Sequence, residues 1–291
     1  MSKPVIQRIS DFFSLVKIAH TIFSLPFALI GFSLALRQTG EPFTFRPLAL
    51  ILLCVFFARN AAMGFNRYAD RDIDKKNPRT SLREIPNNVI KPSSALAFVI
   101  INAILFIATS YFLNELCFML SPVALIVVLG YSLTKRFTSL SHLALGLGLS
   151  LAPIGAYIAI TARFDLLPLI YSFVVVFWVS GFDILYALQD IEFDKSQKLR
   201  SLPVALGKNH ALILSAALHL FAIALVIVAG FAGQFGYLYW IGGAIFSILL
   251  IYEHFLVKPT DISRVNLAFA TMNGMASVLF AGFVIADLFW K

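Results

Sequence analysis

Negative charge is scarce in this sequence: Asp and Glu number 15 among 291 residues, and charged residues of both signs make up 13% of the chain. A soluble globular domain carries about 25%, so a water-facing surface cannot be assembled from these residues. Cysteine is scarcer still. Cys54 and Cys117 stand in or at the edge of apolar runs with no CxxC spacing, which argues against a disulfide or thiolate metal site and for packing. Polar–apolar alternation is missing from runs such as Leu96 to Phe106 and Leu212 to Val228, which excludes a transmembrane β-barrel. No D-x-[DN]-x-[DN]-G loop with a terminal Glu occurs, which excludes an EF-hand. A small-residue cleavage site is also lacking after the first apolar stretch, which follows Lys3, Arg8 and Lys17 and is too long for a secretory signal. It reads as a retained helix. With no transit-peptide composition either, a bacterial inner membrane is the expected location.

What is present is hydrophobicity, at 59% of residues. A hydrocarbon core about 30 Å thick takes roughly 20 apolar residues as a helix. Runs of that kind predict spans at 16–36, 46–66, 93–113, 117–134, 141–161, 167–188, 209–230, 235–256 and 267–289. The expected fold is therefore all-α, a polytopic membrane protein of about nine transmembrane helices forming a single domain over 1–291, with its termini on opposite sides.

Positive residues flanking spans tend to stay cytoplasmic. With the N-terminus cytoplasmic, only Arg37, Arg46, Arg163 and Lys291 of the 23 Lys and Arg fall on the far side. The net charge of +8 is thus a topology signal, with attraction to anionic membrane lipid as its second consequence and no nucleic-acid partner implied.

The scarce acids are not scattered. Asp70, Asp72 and Asp74 form one cluster and Asp190, Glu192 and Asp194 another, each at the end of a span approaching the cytoplasmic side and each opening a long polar connection. Asn66, Asp70 and Asp74 recur every four residues, as do Tyr186, Asp190 and Asp194. On a continuing helix such residues share a face about 6 Å apart along the axis. Mutually repelling carboxylates beside a membrane core need a counter-charge, and magnesium, an oxygen-loving cation that keeps part of its shell for phosphate, suits two such facing sets. Neutralising neighbouring cations is the plainer use of either cluster alone; their matched spacing at two span ends favours a functional one.

Arg67, Arg71, Arg79 and Arg83 follow the first cluster, and Lys195, Lys198 and Arg200 the second. Some of these suit a diphosphate, Arg as a planar fork and Lys as a point charge. Tyr131, Lys135 and Arg136 at the end of the fourth span are open to either diphosphate contact or orientation of the span. Arg59, seven residues before Asn66, either binds an acceptor carboxylate or pairs with Asp70. His20 reads first as a hydrogen-bonded structural residue.

Asn66-xxx-Asp70-xxx-Asp74, Tyr131-xxx-Lys135-Arg136 and Tyr186-xxx-Asp190-xxx-Asp194 together resemble the UbiA superfamily of intramembrane prenyltransferases over nearly the whole chain. The phrase from Gly181 through Asp183 and Tyr186 to Asp190 resembles the branch of 4-hydroxybenzoate polyprenyltransferases. The resemblance implies a helix bundle around a central cavity, capped by the loops after the second and sixth spans, with the prenyl tail leaving toward lipid. It implies that Asn66, Asp70, Asp74, Asp190 and Asp194 bind a magnesium diphosphate, helped by Tyr131, Lys135, Arg136, Arg79 and Tyr186. The family often places an Arg near a Pro at the start of the first span, where this chain has Lys17 and His20 without an adjacent Pro.

The implied reaction joins a polyprenyl diphosphate to an aromatic acid. The acid is 4-hydroxybenzoate, for ubiquinone, or a naphthoic acid, for menaquinone. Asp183 or Asp190 is the expected proton acceptor. A membrane transporter with an acidic ion path is the alternative of another class, its two Gly-Phe-led acidic motifs then being read as repeats.

Overall fold

The computed structural model describes residues 5–290, without the side chains of 5–9 and 18–20. His20 therefore lies outside the described side chains. Among the described residues nine helices are long and apolar enough to cross a membrane. In chain order the helices are α1 (Val5–Leu15), α2 (Leu25–Thr39), α3 (Phe45–Ala69), α4 (Arg71–Lys76), α5 (Pro92–Tyr111), α6 (Glu115–Thr134), α7 (Ser141–Thr161), α8 (Leu166–Ala187), α9 (Ile191–Ser196), α10 (Leu202–Ala232), α11 (Tyr237–Leu256) and α12 (Asn273–Trp290). A 3-10 segment, Ile18–Phe23, leads into α2, and a π-helical turn, Leu267–Met272, leads into α12.

Helix starts follow local chemistry. Asn114 and Ser201 cap α6 and α10 by accepting from Cys117 N and Val204 N at 2.9 and 3.4 Å. Pro26, Pro92 and Pro203 occupy first turns, where no N–H partner is lost. Gly40 closes α2 in the left-handed region at φ 69°. Two boundaries differ from the sequence expectation. The first span begins later than 16, because Lys17 turns the chain at φ 47° and makes α1 a separate helix. Residues 202–208 join α10 and contain a break at Gly207, φ 77°, ψ 166°.

The bundle is centred on α8, where 67% of the apolar stretch is buried against 17% in α6. Around it an aromatic core gathers Phe27, Trp178, Tyr239, Phe246 and Phe280, all fully enclosed. Ile101, Ile104, Ile126, Ile213, Phe231 and Phe255 point outward and cover the bundle with a lipid-facing surface. Between helices in lipid the drive is close packing rather than water exclusion. Gly31 shows it: a Cβ there would stand 2.0 Å from the Pro153 carbonyl oxygen of α7. We expect Gly31→Ala to part α2 from α7 and cost about 1–3 kcal/mol, read as a lowered unfolding midpoint of the detergent-solubilised protein; an unchanged midpoint would refute the close approach.

Two acids at the face opposite the two motifs, Asp287 and Asp165, have structural partners. Asp287 accepts from Gly236 N at 2.7 Å and Tyr239 N at 3.3 Å, satisfying the start of α11. Asp165 caps α8 and accepts from Gln38 Nε2 at 2.8 Å.

Candidate active site

Both acidic motifs interrupt their helices at the middle carboxylate. α3 ends at Ala69 and α4 restarts after Asp70, which has φ −93° and ψ 5°. α8 ends in a 3-10 turn, and α9 restarts after Asp190 at φ −105° and ψ 3°. The continuing helix expected from the spacing is thus corrected at one residue in each motif. That backbone region is sparsely populated and recurs at active sites. The four-residue relation survives through Asp70 N to Asn66 O (3.0 Å) and Asp74 N to Asp70 O (2.7 Å), so the first motif keeps one face.

Each interrupted motif meets cations. Asp70, 3% exposed, receives Lys135 Nζ at 3.1 Å, Arg136 Nη2 at 3.4 Å and the Asn66 amide at 3.3 Å. Asp74 takes Arg83 Nη1 on both oxygens, at 2.8 and 2.9 Å. Asp190 takes the Arg79 fork at 3.0 and 2.5 Å and Asn77 Nδ2 at 3.0 Å. The third Arg79 nitrogen donates to Tyr186 Oη at 2.9 Å. Burial acts to lower the Arg79 guanidinium, but the hydrogen bonds and charges of Asp190 and Tyr186 outweigh it and hold the group above its ordinary range. Asp194 is buried near Lys135, Asp190 and Ser201. Asn77 and Arg79 belong to the connection after the first motif, so that connection is locked onto the second; Lys76 to Gln197, at 3.3 Å, adds a further tie.

Beneath this polar layer a cavity of about 330 Å³ runs between α3, α6 and α7. Arg59 and Tyr131 stand at its polar end, Met63, Val127 and Ala152 along its walls, and Phe164 at its far end. Tyr131 lies close enough to Asp70, Asp183 and Arg67 to feel their charges. On the second-motif side, Phe269 packs on Tyr186 at 4.3 Å and on Phe182 and Phe23 at 5.4 and 5.3 Å, a wall of rings of which sequence reasoning nominated Tyr186 but not Phe269 or Phe23.

Asn66, Asp70, Asp74, Arg79, Lys135, Arg136, Tyr186, Asp190 and Asp194 thus form one layer. Arg59 does not join it by pairing with Asp70. Its Nε donates to Thr21 Oγ1 at 2.9 Å, and its Nη2 to the carbonyls of Val16 and Lys17 at 3.2 and 2.8 Å, bracing the turn at Lys17. Asp183, one helical turn before Tyr186, meets His142 Nδ1 at 2.6 Å. His142 and Asn77 carried no sequence signal, since their partners lie 41 and 113 residues away. Arg67 is 7% exposed, among Asp74, Arg83, Glu84 and Tyr131, and its Nε has no hydrogen-bond partner.

The donor set fits a hard divalent cation. Asp70, Asp74, Asp190 and Asp194 offer carboxylate oxygens, and Asn66, whose amide nitrogen is engaged by Asp70, offers Oδ1. The orphaned Arg67 nitrogen is the complementary feature, a buried cationic donor awaiting an anion.

Comparison with known proteins shows the family and the fold. The UbiA prenyltransferase family matches residues 24–278. A 4-hydroxybenzoate octaprenyltransferase of Cupriavidus pinatubonensis is 29% identical over 248 residues, 82% of this chain and 86% of that protein. The apo structure of a UbiA homolog from Aeropyrum pernix superposes with a TM-score of 0.78 at 32% identity, covering 92% of this chain and 96% of the other. A UbiA homolog from Archaeoglobus fulgidus, solved with GPP and Mg2+, shares the fold at a TM-score of 0.71 and 22% identity, over 96% of this chain and 99% of the other. A nine-span bundle with two acidic motifs braced by cations over an apolar cavity, matched along most of its length, leads to one assignment: this chain is an integral membrane protein of the UbiA prenyltransferase family.

Proposed function

We propose that the chain, acting as one domain over 1–291, transfers a polyprenyl group from its diphosphate to 4-hydroxybenzoate in ubiquinone biosynthesis. The observation that carries this reading is the cation-braced carboxylate layer set directly over an apolar cavity. The named activity of the curated relatives supports the benzoate acceptor. Neither the naphthoic-acid acceptor nor the transporter gains support from them, and Asp165 and Asp287 of the opposite face serve helix ends rather than an ion path. With the N-terminus cytoplasmic, the motif layer faces the cytoplasm from a bacterial inner membrane.

Asn66, Asp70, Asp74, Asp190 and Asp194 would hold magnesium, which supplies positive charge to the diphosphate as the allylic C–O bond loosens. Lys135, Arg136 and Arg79, already held in the layer by Asp70 and Asp190, take the phosphate oxygens, and Arg67 gains its missing acceptor. Charge stabilisation by preorganised donors in a water-poor site is the main catalytic contribution of these residues. The prenyl tail lies in the cavity below Tyr131. The allyl cation forms against the Tyr131 ring, whose face favours positive charge, while the Tyr186 ring already carries the Arg79 guanidinium and Phe269. Arg59 takes the acceptor carboxylate at the cavity's polar end. A ring carbon of the acid attacks, and the proton it releases passes to Asp183. Asp190 suits that role less, because Arg79 and Asn77 fill Oδ1 and the one lone pair that Arg79 leaves on Oδ2 would serve the metal. His142 orients the Asp183 carboxyl.

Purified protein in nanodiscs, given magnesium, octaprenyl diphosphate and either 4-hydroxybenzoate or a bicyclic naphthoic acid, is expected to yield prenylated benzoate by mass. Chelation should abolish product, and added Mg2+ should restore it. Product from the naphthoic acid alone would reassign the acceptor; product that survives chelation would remove the metal from the reading.

A further inference from the structure

A third polar cluster is buried between α8, α10 and α11, and it shares no residue with the diphosphate layer. His219 of α10 is 2% exposed and Glu253 of α11 fully enclosed, with His254 half-buried beside it. Ionisable groups inside a transmembrane bundle are costly and persist where something compensates them. Here a ligand atom from each of the three lies within 4.8 Å of the others.

Proton bookkeeping shows what is missing. His219 Nε2 lies 3.1 Å from the main-chain oxygen of Trp178, which only accepts, so Nε2 carries a hydrogen. Nδ1 of the same ring is 2.8 Å from Glu253 Oε1 and 2.9 Å from His254 Nε2. With Glu253 ionised, the neutral ring presents its Nδ1 lone pair to a carboxylate lone pair. In the doubly protonated ring the single N–H goes to Glu253 Oε1 and leaves His254 Nε2 without a partner of its own. A cation among Nδ1, Nε2 of His254 and Oε1 resolves both conflicts at once.

The surroundings are those of metal ligands. A ligating histidine donates its other N–H to a carbonyl, and a ligating carboxylate is itself hydrogen-bonded. His219 does the first toward Trp178. Glu253 does the second, its Oε2 accepting from Asn273 Nδ2 at 2.6 Å, while Asn273 Oδ1 accepts from Trp178 Nε1 at 2.6 Å. Room for the His219 ring depends on Gly181, where a Cβ would stand 2.2 Å from Nε2. This gives Gly181 a structural role apart from the acids that follow it.

We propose that His219, His254 and Glu253 bind a divalent transition-metal ion of the zinc class, separate from the magnesium diphosphate site. Two imidazoles and one carboxylate suit zinc and its neighbours, whereas magnesium prefers oxygen alone. The ion ties α10 and α11 to α8 through Trp178, whose carbonyl accepts from His219 and whose Nε1 donates to Asn273, the donor to Glu253. Through Asn273, which also donates to the Ala268 carbonyl at 2.9 Å, it steadies the π-helical turn that sets Phe269 against Tyr186.

The test strips the purified full-length protein in nanodiscs with a chelator and titrates it with Co2+ in excess Mg2+, following visible absorption and bound cobalt per chain. One equivalent with the intense bands of four- or five-coordinate cobalt, displaced by Zn2+, is expected in the wild type and in an Asp70→Asn/Asp190→Asn variant. Glu253→Gln and His254→Gln should lose it, and Asn273→Ala should weaken it roughly 10- to 100-fold. His254 is half-buried, and the metal-free unfolding midpoint of His254→Gln, compared with metal-free wild type, verifies its fold. Absence of stoichiometric cobalt from the wild type, or equal binding by folded His254→Gln, overturns the proposal and leaves an imidazolium–carboxylate pair. The readout does not involve prenyl transfer, so it stands or falls apart from the proposed reaction.

Discussion

Asp190→Asn is expected to lower prenyl transfer by on the order of 10³-fold, equivalent to ~4 kcal/mol of transition-state stabilisation. The amide keeps the shape of the carboxylate but removes one negative charge from the layer proposed to bind magnesium. It also leaves Arg79, now held by both Asp190 oxygens at 3.0 and 2.5 Å, without its ionic partner. Two functions fail together: the second motif loses a proposed metal ligand, and the connection carrying Asn77 and Arg79 loses its ionic anchor at the turn between α8 and α9. Arg79→Lys separates them, because it preserves the metal ligand and the positive charge while giving up the planar fork. It should therefore cost less, roughly 10- to 100-fold by the scale of a single lost positioning contact. Single-turnover rates at saturating magnesium measure both variants. Asp190→Asn within tenfold of wild type, in protein with an unchanged unfolding midpoint, would remove this carboxylate from the site.

The second large effect concerns the cavity. Ala152→Phe is expected to reduce transfer from octaprenyl diphosphate roughly 100-fold, ~2.7 kcal/mol, while sparing dimethylallyl diphosphate. Ala152 lies on the cavity wall 11 residues into α7, whose first residue, Ser141, is near the motif layer. At 1.5 Å per residue that is ~16 Å along the helix axis. A phenyl ring there obstructs a long tail and leaves the reacting end of a short one untouched. The readout is the ratio of kcat/KM for the two donors, which a general loss of folding would not change selectively. Equal losses for both donors would place the tail elsewhere.

Hydropathy made the spans legible because a bilayer leaves so few alternatives for backbone hydrogen bonding. It misplaced the first boundary, since Lys17 and His20 interrupt the run from residue 16 too briefly to offset its apolar neighbours, and nothing in it announces the left-handed turn at Lys17. The acidic motifs were legible because so few acids exist in this chain. Their partners were less so. Arg83 and Arg79 could be named as basic companions, yet only folding decides that one grips Asp74 and the other Asp190. Arg59 illustrates the opposite failure. Seven residues before Asn66, it stands nearly on the same helix face, but its long side chain reaches Thr21 and the carbonyls at 16 and 17 instead.

The sequence by itself determined the solvent this protein lives in, the helical class and the two places where its costly carboxylates stand. Composition and spacing are local properties, and lipid penalises the other solutions heavily. Tertiary structure alone decided which cation answers which carboxylate, that Asp183 has His142 beside it, and that His219, Glu253 and His254 meet at all. Such pairings cross dozens of residues and depend on helix rotation and on close approaches such as that of Gly181 to His219, which no periodicity encodes.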